Sequence, residues 1–427
     1  MSDASLPAVA EPAPAPRPRS LWAHADFVKL WTGQTVSELG TRISREGIPL
    51  TAVLVLHAGT VQMGFLSALG GAAVLVFGLV AGVWVDRLRR RPILIAADLG
   101  RAAILVTVPA AAVAGVLSMG QLYAVAALAG ILTIFFDVAY QSYLPALVER
   151  EQILEGNSKL ALSASIAEIA GPGVTGVLVQ LITAPIAILF DAVSFLFSAL
   201  MVGLIRKPEP PAVRREPEHL VAETLAGIRF IFGEPLLRAL GLRSATTFLF
   251  MGFFGPLYVL YAIEILHLQP AMLGAVIAMG GVGAMVGSVV APRIVQRFGL
   301  GRTFVAASLV QGLTNLLIPL AGLVGTPGTL QIFAVACLMA PQLFGDMAFM
   351  VYMINELTLR QTVAPEHVLG RVNAGMNLLA RGIWPIGSLI GGALAAAIGV
   401  RATLALAATG VALSTLWLVA SPLRRLR

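Results

Sequence analysis

The chain has 427 residues, 58% of them hydrophobic and only 12% charged, with a mean hydropathy of +0.87. Soluble domains carry about 25% charged residues, so a water-soluble enzyme is excluded: no soluble fold of this size could cover so much apolar surface. A single cysteine, Cys337, rules out a disulfide framework and a thiolate metal cluster. The formal charge of +7 matters through its placement.

Residues 1–26 begin rich in Ala and Pro and lack an apolar run, which reads as a disordered tail and not a cleaved signal peptide. Long apolar runs then alternate with short polar breaks. The runs cover 29–56, 62–84, 92–116, 120–145, 160–181 and 184–205, then 241–265, 270–292, 302–324, 328–354, 374–398 and 400–420. A helix needs about 20 apolar residues to cross a bilayer, and each run suffices. Strands of a membrane barrel are about 10 residues long with strict alternation, a pattern these runs lack. The expected fold is an all-α membrane protein of twelve transmembrane helices.

Placing the first residue inside puts 24 of the 29 Lys and Arg residues on the cytoplasmic side and only Arg401 on the other. The positive-inside rule therefore predicts a multi-pass protein of the cell's inner membrane with both termini in the cytoplasm. It also accounts for the basic charge without a nucleic-acid partner. The segment 206–240 is the one long connection. Pro208, Pro210 and Pro211 open it as a linker, and Val221, Leu225, Ile228 and Phe232 then share one helical face. That helix either lies on the membrane interface or packs against neighbouring helix ends. Residues 421–427 form a short basic tail.

An internal repeat divides the chain. Leu56-His57, Gly64, Ala68, Gly70, Gly71, Val85 and Arg87 recur 210 positions on as Leu266-His267, Gly274, Ala278, Gly280, Gly281, Val295 and Arg297. Asp137, Ala139 and Tyr143 recur at an offset of 209 as Asp346, Ala348 and Tyr352. The spans thus form two six-helix pseudo-symmetric halves, 27–205 and 241–420. Parallel repeats of this kind occur in secondary transporters, with the site between the halves near the midplane.

After the second run comes Gly82-Val83-Trp84-Val85-Asp86-Arg87-Leu88-Arg89-Arg90-Arg91. This stretch resembles motif A of the major facilitator superfamily, in which Gly82, Asp86, Arg87, Arg90 and Arg91 take the motif's places. The opening Phe27, Leu30-Trp31, Gly33-Gln34, Ser37, Gly40-Thr41 and Pro49 resembles the drug:proton antiporter branch that holds macrolide-efflux and siderophore-export proteins. The resemblance implies that motif A locks the cytoplasmic gate when the site faces outward. Plain positive-inside charge is the simpler account of the same arginines. Gly171-Pro172-Gly173 and Gly176 in the fifth run are similar to the antiporter motif of the same superfamily, with Thr175 standing where that motif has a Gly. An Arg inside the fourth helix, carried by many drug antiporters, is missing from 120–145. The proton-relay role of that Arg therefore does not carry over.

Ionisable residues inside a span cost about 2.5–3.5 kcal/mol each at the helix centre and mark function by default. Glu38, Arg42, Arg45 and Glu46 share one broad face of the first helix. Glu168 sits four residues before Pro172, and Asp137 and Asp346 hold equivalent repeat positions. Proton coupling is assigned to one or more of Glu38, Asp137, Glu168 and Asp346. Structural pairing is the alternative, favoured for Glu46 with Arg42 and for Asp98 with Arg101, while Asp137 and Asp346 also fit gate locks. From the resemblance, helices 1, 4, 7 and 10 line the substrate cavity. Gln34, Arg42, Phe136, Tyr140, Phe250, Met251, Phe254, Tyr258 and Met347 are the candidates there, a soft aromatic surface suited to a bulky amphipathic ligand.

No phosphate-binding Gly-x-x-x-x-Gly-Lys loop, no paired metal-ligand histidines and no Gly-x-Ser-x-Gly elbow occur in the sequence. The expectation is a secondary efflux transporter, not an enzyme, exporting small hydrophobic or amphipathic compounds, drug- or macrolide-like, by proton antiport. It needs no cofactor or metal beyond the proton gradient. Its partners are a small-molecule substrate and membrane lipid, and it works as a monomer. Export of a dedicated siderophore or other metabolite, uptake, lipid handling and ligand sensing without flux stay open.

Overall fold

The computed structural model describes residues 20–209, 220–323 and 329–425; side chains at 74–75, 78–80, 82–83, 86, 220–223, 329–330 and 425 lie outside the description. The first half contains α1 (Ala25–Leu54), α2 (Thr60–Arg87), α3 (Arg90–Val113), α4 (Met119–Leu147), α5 (Ile153–Ile182) and α6 (Ala184–Gly203). The connecting helix α7 (Leu220–Gly233) leads to α8 (Pro235–Leu260), which runs on through a π-helical turn at Tyr261–Ile265. There follow α9 (Pro270–Phe298), α10 (Leu300–Asn315), α11 (Leu317–Leu320) and α12 (Thr329–Ala340). A second π-helical turn, Pro341–Gly345, joins α12 to α13 (Asp346–Val363). The chain closes with α14 (Glu366–Arg381), α15 (Trp384–Ile398), α16 (Val400–Leu413) and α17 (Thr415–Val419).

Ten helical stretches among the described residues are long and apolar enough to cross a membrane. With α1 and α2 they make twelve, paired in the bundle as α10 with α11, α12 with α13, α14 with α15 and α16 with α17. Helix α1 is the least apolar of the long helices because Glu38, Arg42, Arg45 and Glu46 crowd its middle. Large apolar side chains such as Val113, Leu154, Leu181 and Ile332 stand open on the outside, as a lipid-facing belt requires.

Local chemistry fixes the breaks. Ser118 accepts from the Gln121 amide to start α4, and proline opens α8 and α9, where its missing N–H costs nothing. Thr183 and Gly399 adopt positive φ of 80° and 88° at the α5–α6 and α15–α16 turns. His57 and His267 do the same at 48° and 53°. The amide of Ala58 donates to the Ala52 carbonyl at 2.9 Å, and that of Leu268 to Ala262 at 2.9 Å. The 210-residue repeat therefore extends to backbone conformation.

Several ranges differ from expectation. Residues 1–19 lie outside the described residues, but the rest of the expected tail is folded: Leu21–Ala23 form a 3-10 turn with Leu21 fully buried, and α1 starts at Ala25. The basic C-terminal stretch likewise folds back at Pro422–Arg425, with Leu423 buried. The seventh span starts six residues early, at Pro235, and α13 runs to Val363. Helix α7 packs against α14, since a Cβ on Gly227 would run into the Arg371 carbonyl. Its buried residues are Thr224, Gly227 and Ile231, whereas Leu225 and Phe232 are exposed. The inward face is thus rotated from the predicted one, because the small Gly227 sets the closest approach. Val221 lies outside the described side chains.

The cores show how the halves meet. At the end of the bundle away from the chain termini, one hydrophobic core runs across both halves, from Ile43, Leu50 and Val179 to Phe253, Leu273 and Leu404. Toward the other, basic end the cores formed by the described residues are separate in the two halves, with a small further cluster of Ala73, Ala81 and Ile134 in the first half. Of the larger ones, one belongs to the first half around Phe27, Leu94 and Tyr143, the other to the second half around Phe304, Tyr352 and Val372. The halves are joined by α5 on α9 and by α2 on α15. Helix packing is therefore sealed at one end and divided at the basic end.

Candidate functional site: a central cavity between the halves

A cavity of about 700 Å³ lies between the halves. Its walls come from α1 (Ser44, Arg45, Glu46), α3 (Arg101), α4 (Thr133, Asp137) and α6 (Asp191, Phe195) of the first half. The second half adds Met251, Phe254 and Tyr258 from α8, Asn315 from α10, Gln342 and Asp346 around the π turn, and Trp384. The volume suits a drug-sized molecule. Proline at 341 cannot close a normal α-helical hydrogen bond, and the widened turn there carries Gln342 and Asp346 in the lining. Gln342 Nε2 donates to the Tyr258 hydroxyl at 3.3 Å. Gly280 has no side chain because Asp346 and Gln342 occupy that space.

The predicted coupling residues separate into two groups. Glu168 binds Arg42 at 2.5 Å and Arg45 at 3.5 Å, and Arg42 reaches Glu38 at 3.7 Å. Gly171, in the antiporter-like motif, seats this network: a Cβ there would collide with the Arg42 side chain. Glu38 and Glu168 are thus ion-paired and lie outside the cavity lining. Asp137 and Asp346 line it and take part in none of the ion pairs among the described residues. Glu46 pairs with Arg45 at 3.5 Å, not with Arg42 as expected, because Arg42 is drawn to Glu168. Asp98 and Arg101 do pair, at 2.5 Å and buried.

Of the cavity candidates, Phe254, Tyr258 and Met251 line the space. Gln34 is buried and donates to Ser198 at 3.3 Å; Phe136 stacks on Tyr140 with ring centroids 5.9 Å apart; Phe250 packs on Phe253 and fills the gap left by Gly410. These three sites, with Tyr140, Arg42 and Met347, stand outside the lining. Helix periodicity identifies the inward-facing side but not which inward residue meets the gap between halves. Arg101 and Asp191 were missed as lining residues. Both are ionisable residues within apolar spans, the signal that picked out the other four.

The motif A loop is held by the end of α6 and by the linker that follows it. The Glu209 carboxylate accepts from the backbone amides of Arg90 and Arg91 at 2.6 and 3.1 Å, capping α3. Arg91 donates to the carbonyls of Val202 at 3.1 Å and Gly203 at 2.5 Å, capping the end of α6. Arg87 is exposed, and the side chains at Gly82 and Asp86 lie outside the described residues. At the sealed end, Pro172 and Gly176 of the antiporter-like motif press on α9, where a Cβ at Gly176 would strike the Pro270 carbonyl.

Two parallel-repeat helical halves around a midplane cavity define a polytopic membrane transporter. The Major Facilitator Superfamily model matches residues 30–386, and the chain belongs to that superfamily. It is a transporter and not an enzyme. The chain is 27% identical over 370 residues to the multidrug efflux pump Tap of Mycolicibacterium fortuitum, covering 84% of each chain. It is 25% identical over 390 residues to the enterobactin exporter EntS of Escherichia coli O1:K1 / APEC, covering 88% of this chain and 85% of that one. A bacterial homologue of the iron transporter ferroportin in an inward-facing state matches with TM-score 0.72 at 18% identity, over 93% of this chain and 98% of that one. Such a homologue in an outward-facing state, also at 18% identity and over 92% and 98% of the two chains, reaches 0.56.

Proposed function

We propose that the protein exports small hydrophobic or amphipathic compounds across the cell membrane by alternating access, in exchange for protons. The observation that carries this reading is the central cavity with Asp137 and Asp346 unpaired on opposite walls, sealed at one end and divided at the other. With the basic end in the cytoplasm, both termini lie inside and the cavity opens inward, ready to load a substrate from the cell. The better match to the inward-facing than to the outward-facing ferroportin homologue supports the inward-open conformation. Efflux is named for the one relative and export for the other, and the aromatic and Met-lined wall suits a bulky ligand. Each proton entering the cell releases about 2.3 kcal/mol per 100 mV of membrane potential, plus the pH term. No cofactor is required, and a monomer holds the whole path.

A second reading is export of one dedicated metabolite such as a siderophore. The similarity to the enterobactin exporter spans slightly more of the chain than that to the drug pump. Everted vesicles with an acid interior and a pH-sensitive dye test both. Ethidium, erythromycin or enterobactin should each be added alone, and labelled phospholipid followed in parallel. Alkalinisation by ethidium or erythromycin supports drug efflux, and by enterobactin alone the dedicated exporter. Compound movement that a protonophore leaves unchanged would remove antiport, and movement of phospholipid alone would replace efflux by lipid handling.

A further inference from the structure

Asp191 is the sole ionisable residue in the apolar stretch 184–205. It is 1% exposed and lines the central cavity. The described ion pairs take in Glu38, Glu46, Asp98 and Glu168, but not Asp191. Ser194 Oγ donates to its Oδ1 at 3.1 Å. Helix α1 lies directly against the group, for a Cβ on Gly40 would run into Asp191 Oδ1 and Ser194 Oγ. A residue that costs this much to bury, without an ionic partner, is a functional suspect.

The groups facing it are few. From α3 come Arg101 and Asp98, from α1 the hydroxyl of Ser44, and from α6 itself Ser194. Arg101 lies between two rings, 4.0 Å from the Phe195 centroid and 4.3 Å from that of Phe136. Phe195 is one turn beyond Asp191 on α6, so the guanidinium already rests on the stretch of helix that bears the acid. Asp98 holds Arg101 from the other side at 2.5 Å. Arg101 Nε and Asp98 Oδ2 are buried without a hydrogen-bond partner. One cation therefore stands among three carboxylates, those of Asp98, Asp191 and, from α4, Asp137, with a donor to spare.

We propose that Asp191 binds a proton during the exchange cycle and that Arg101 responds to its charge. This rests on the antiport reading above. In the protonated state the carboxylate has taken a proton from a hydronium ion in the cavity, one O–H bond forming as the hydronium O–H bond breaks, and Arg101 stays with Asp98. Release of that proton to water leaves an anion, which draws Arg101 toward α6. Because α1 touches Asp191 through Gly40, the shift reaches the helix that carries Arg42 and Arg45. Asp191 thus ties proton release to the position of α1 against α3 and α6.

The test uses the purified full chain in proteoliposomes. Infrared difference spectra between acid and mildly alkaline buffer report protonated carboxyl groups without any substrate. One carboxylic band should be missing in Asp191→Asn, return shifted in Asp191→Glu, and titrate at a different pH in Ser194→Ala. Ethidium-driven proton flux should fall about tenfold or more in Asp191→Asn, while ethidium counterflow at equal pH persists. An unchanged spectrum in Asp191→Asn overturns the inference. So does loss of counterflow in both Asp191 variants, which marks a structural role. Proton flux absent from the wild type would instead overturn antiport itself, and this inference with it.

Discussion

Gly64 and Gly274 stand 210 positions apart and make the same contact with opposite halves. A Cβ on Gly64 would lie 3.1 Å from Cα of Gly392, and one on Gly274 would lie 3.1 Å from Cα of Gly176. The carbonyls of Ser388 and Pro172 close the two contacts in the same way. The helices α2 on α15 and α5 on α9 are therefore two copies of one joint, related by the pseudo-twofold of the repeat. Pro172 and Gly176 of the antiporter-like motif are half of one copy.

Filling that joint should force the halves apart. Gly274→Val places methyl groups where the Pro172 carbonyl now sits, and overpacking of this kind costs about 1–3 kcal/mol. The unfolding midpoint in detergent should fall and transport should be lost, with Gly64→Val behaving alike. Cysteine labelling at the sealed end should increase in both.

The Arg42–Glu168 pair is only partly buried by protein, with the Glu168 side chain 41% exposed. Its removal should cost about 1 kcal/mol, nearer to a surface pair than to a buried one. Arg45 remains at 3.5 Å to hold Glu168 in Arg42→Gln. A double-mutant cycle with Glu168→Gln, read by equilibrium unfolding, should give a coupling energy of that size.

Arg101 behaves differently because it is buried with Asp98. Arg101→Ala leaves the carboxylate of Asp98 uncompensated and should destabilise by about 3–5 kcal/mol. The double variant Asp98→Asn with Arg101→Gln should recover most of the loss. Equal unfolding midpoints for the single and double variants would show that the uncompensated charge of Asp98 is not the source of the loss.

Glu209 ties the inter-half linker to motif A by capping α3. Replacing it by Ala removes two acceptor contacts and a favourable charge at a helix N-terminus, a loss of about 1–2 kcal/mol. Hydrogen exchange at the Arg90 and Arg91 amides should speed up in Glu209→Ala, with little change at the sealed end.

Much of this architecture can be read from residue order. Apolar run length gives the spans, the Leu56-His57 repeat gives the halves, and Gly-rich segments give the joints, since small residues are what close packing needs. Tertiary placement accounts for what stays hidden. Glu168 looks like a free intramembrane acid until α5 meets α1 and Arg42 reaches it. Phe136 and Tyr140 look like cavity wall but support Arg101 and each other. The pairing of Arg101 with Asp98 is legible and is present, but a helix pattern shows that neighbour and not the gap Arg101 borders. Asp191 was legible by the intramembrane-charge criterion, yet its meeting with Gly40 and Arg101 depends on three separate helices.

Alternating access requires that the sealed and open ends exchange roles. Val55 and Ile265 are repeat-equivalent and exposed at the sealed end, while Leu154 and His367 are exposed at the basic end of opposite halves. Spin labels on Val55→Cys/Ile265→Cys and on Leu154→Cys/His367→Cys, with Cys337 replaced by Ser, report both ends by pulsed electron resonance. As pH is varied, the first distance should lengthen wherever the second shortens, with both pairs sampling two populations. Distances that stay fixed, or that grow and shrink together, would contradict a cavity that opens to one side at a time.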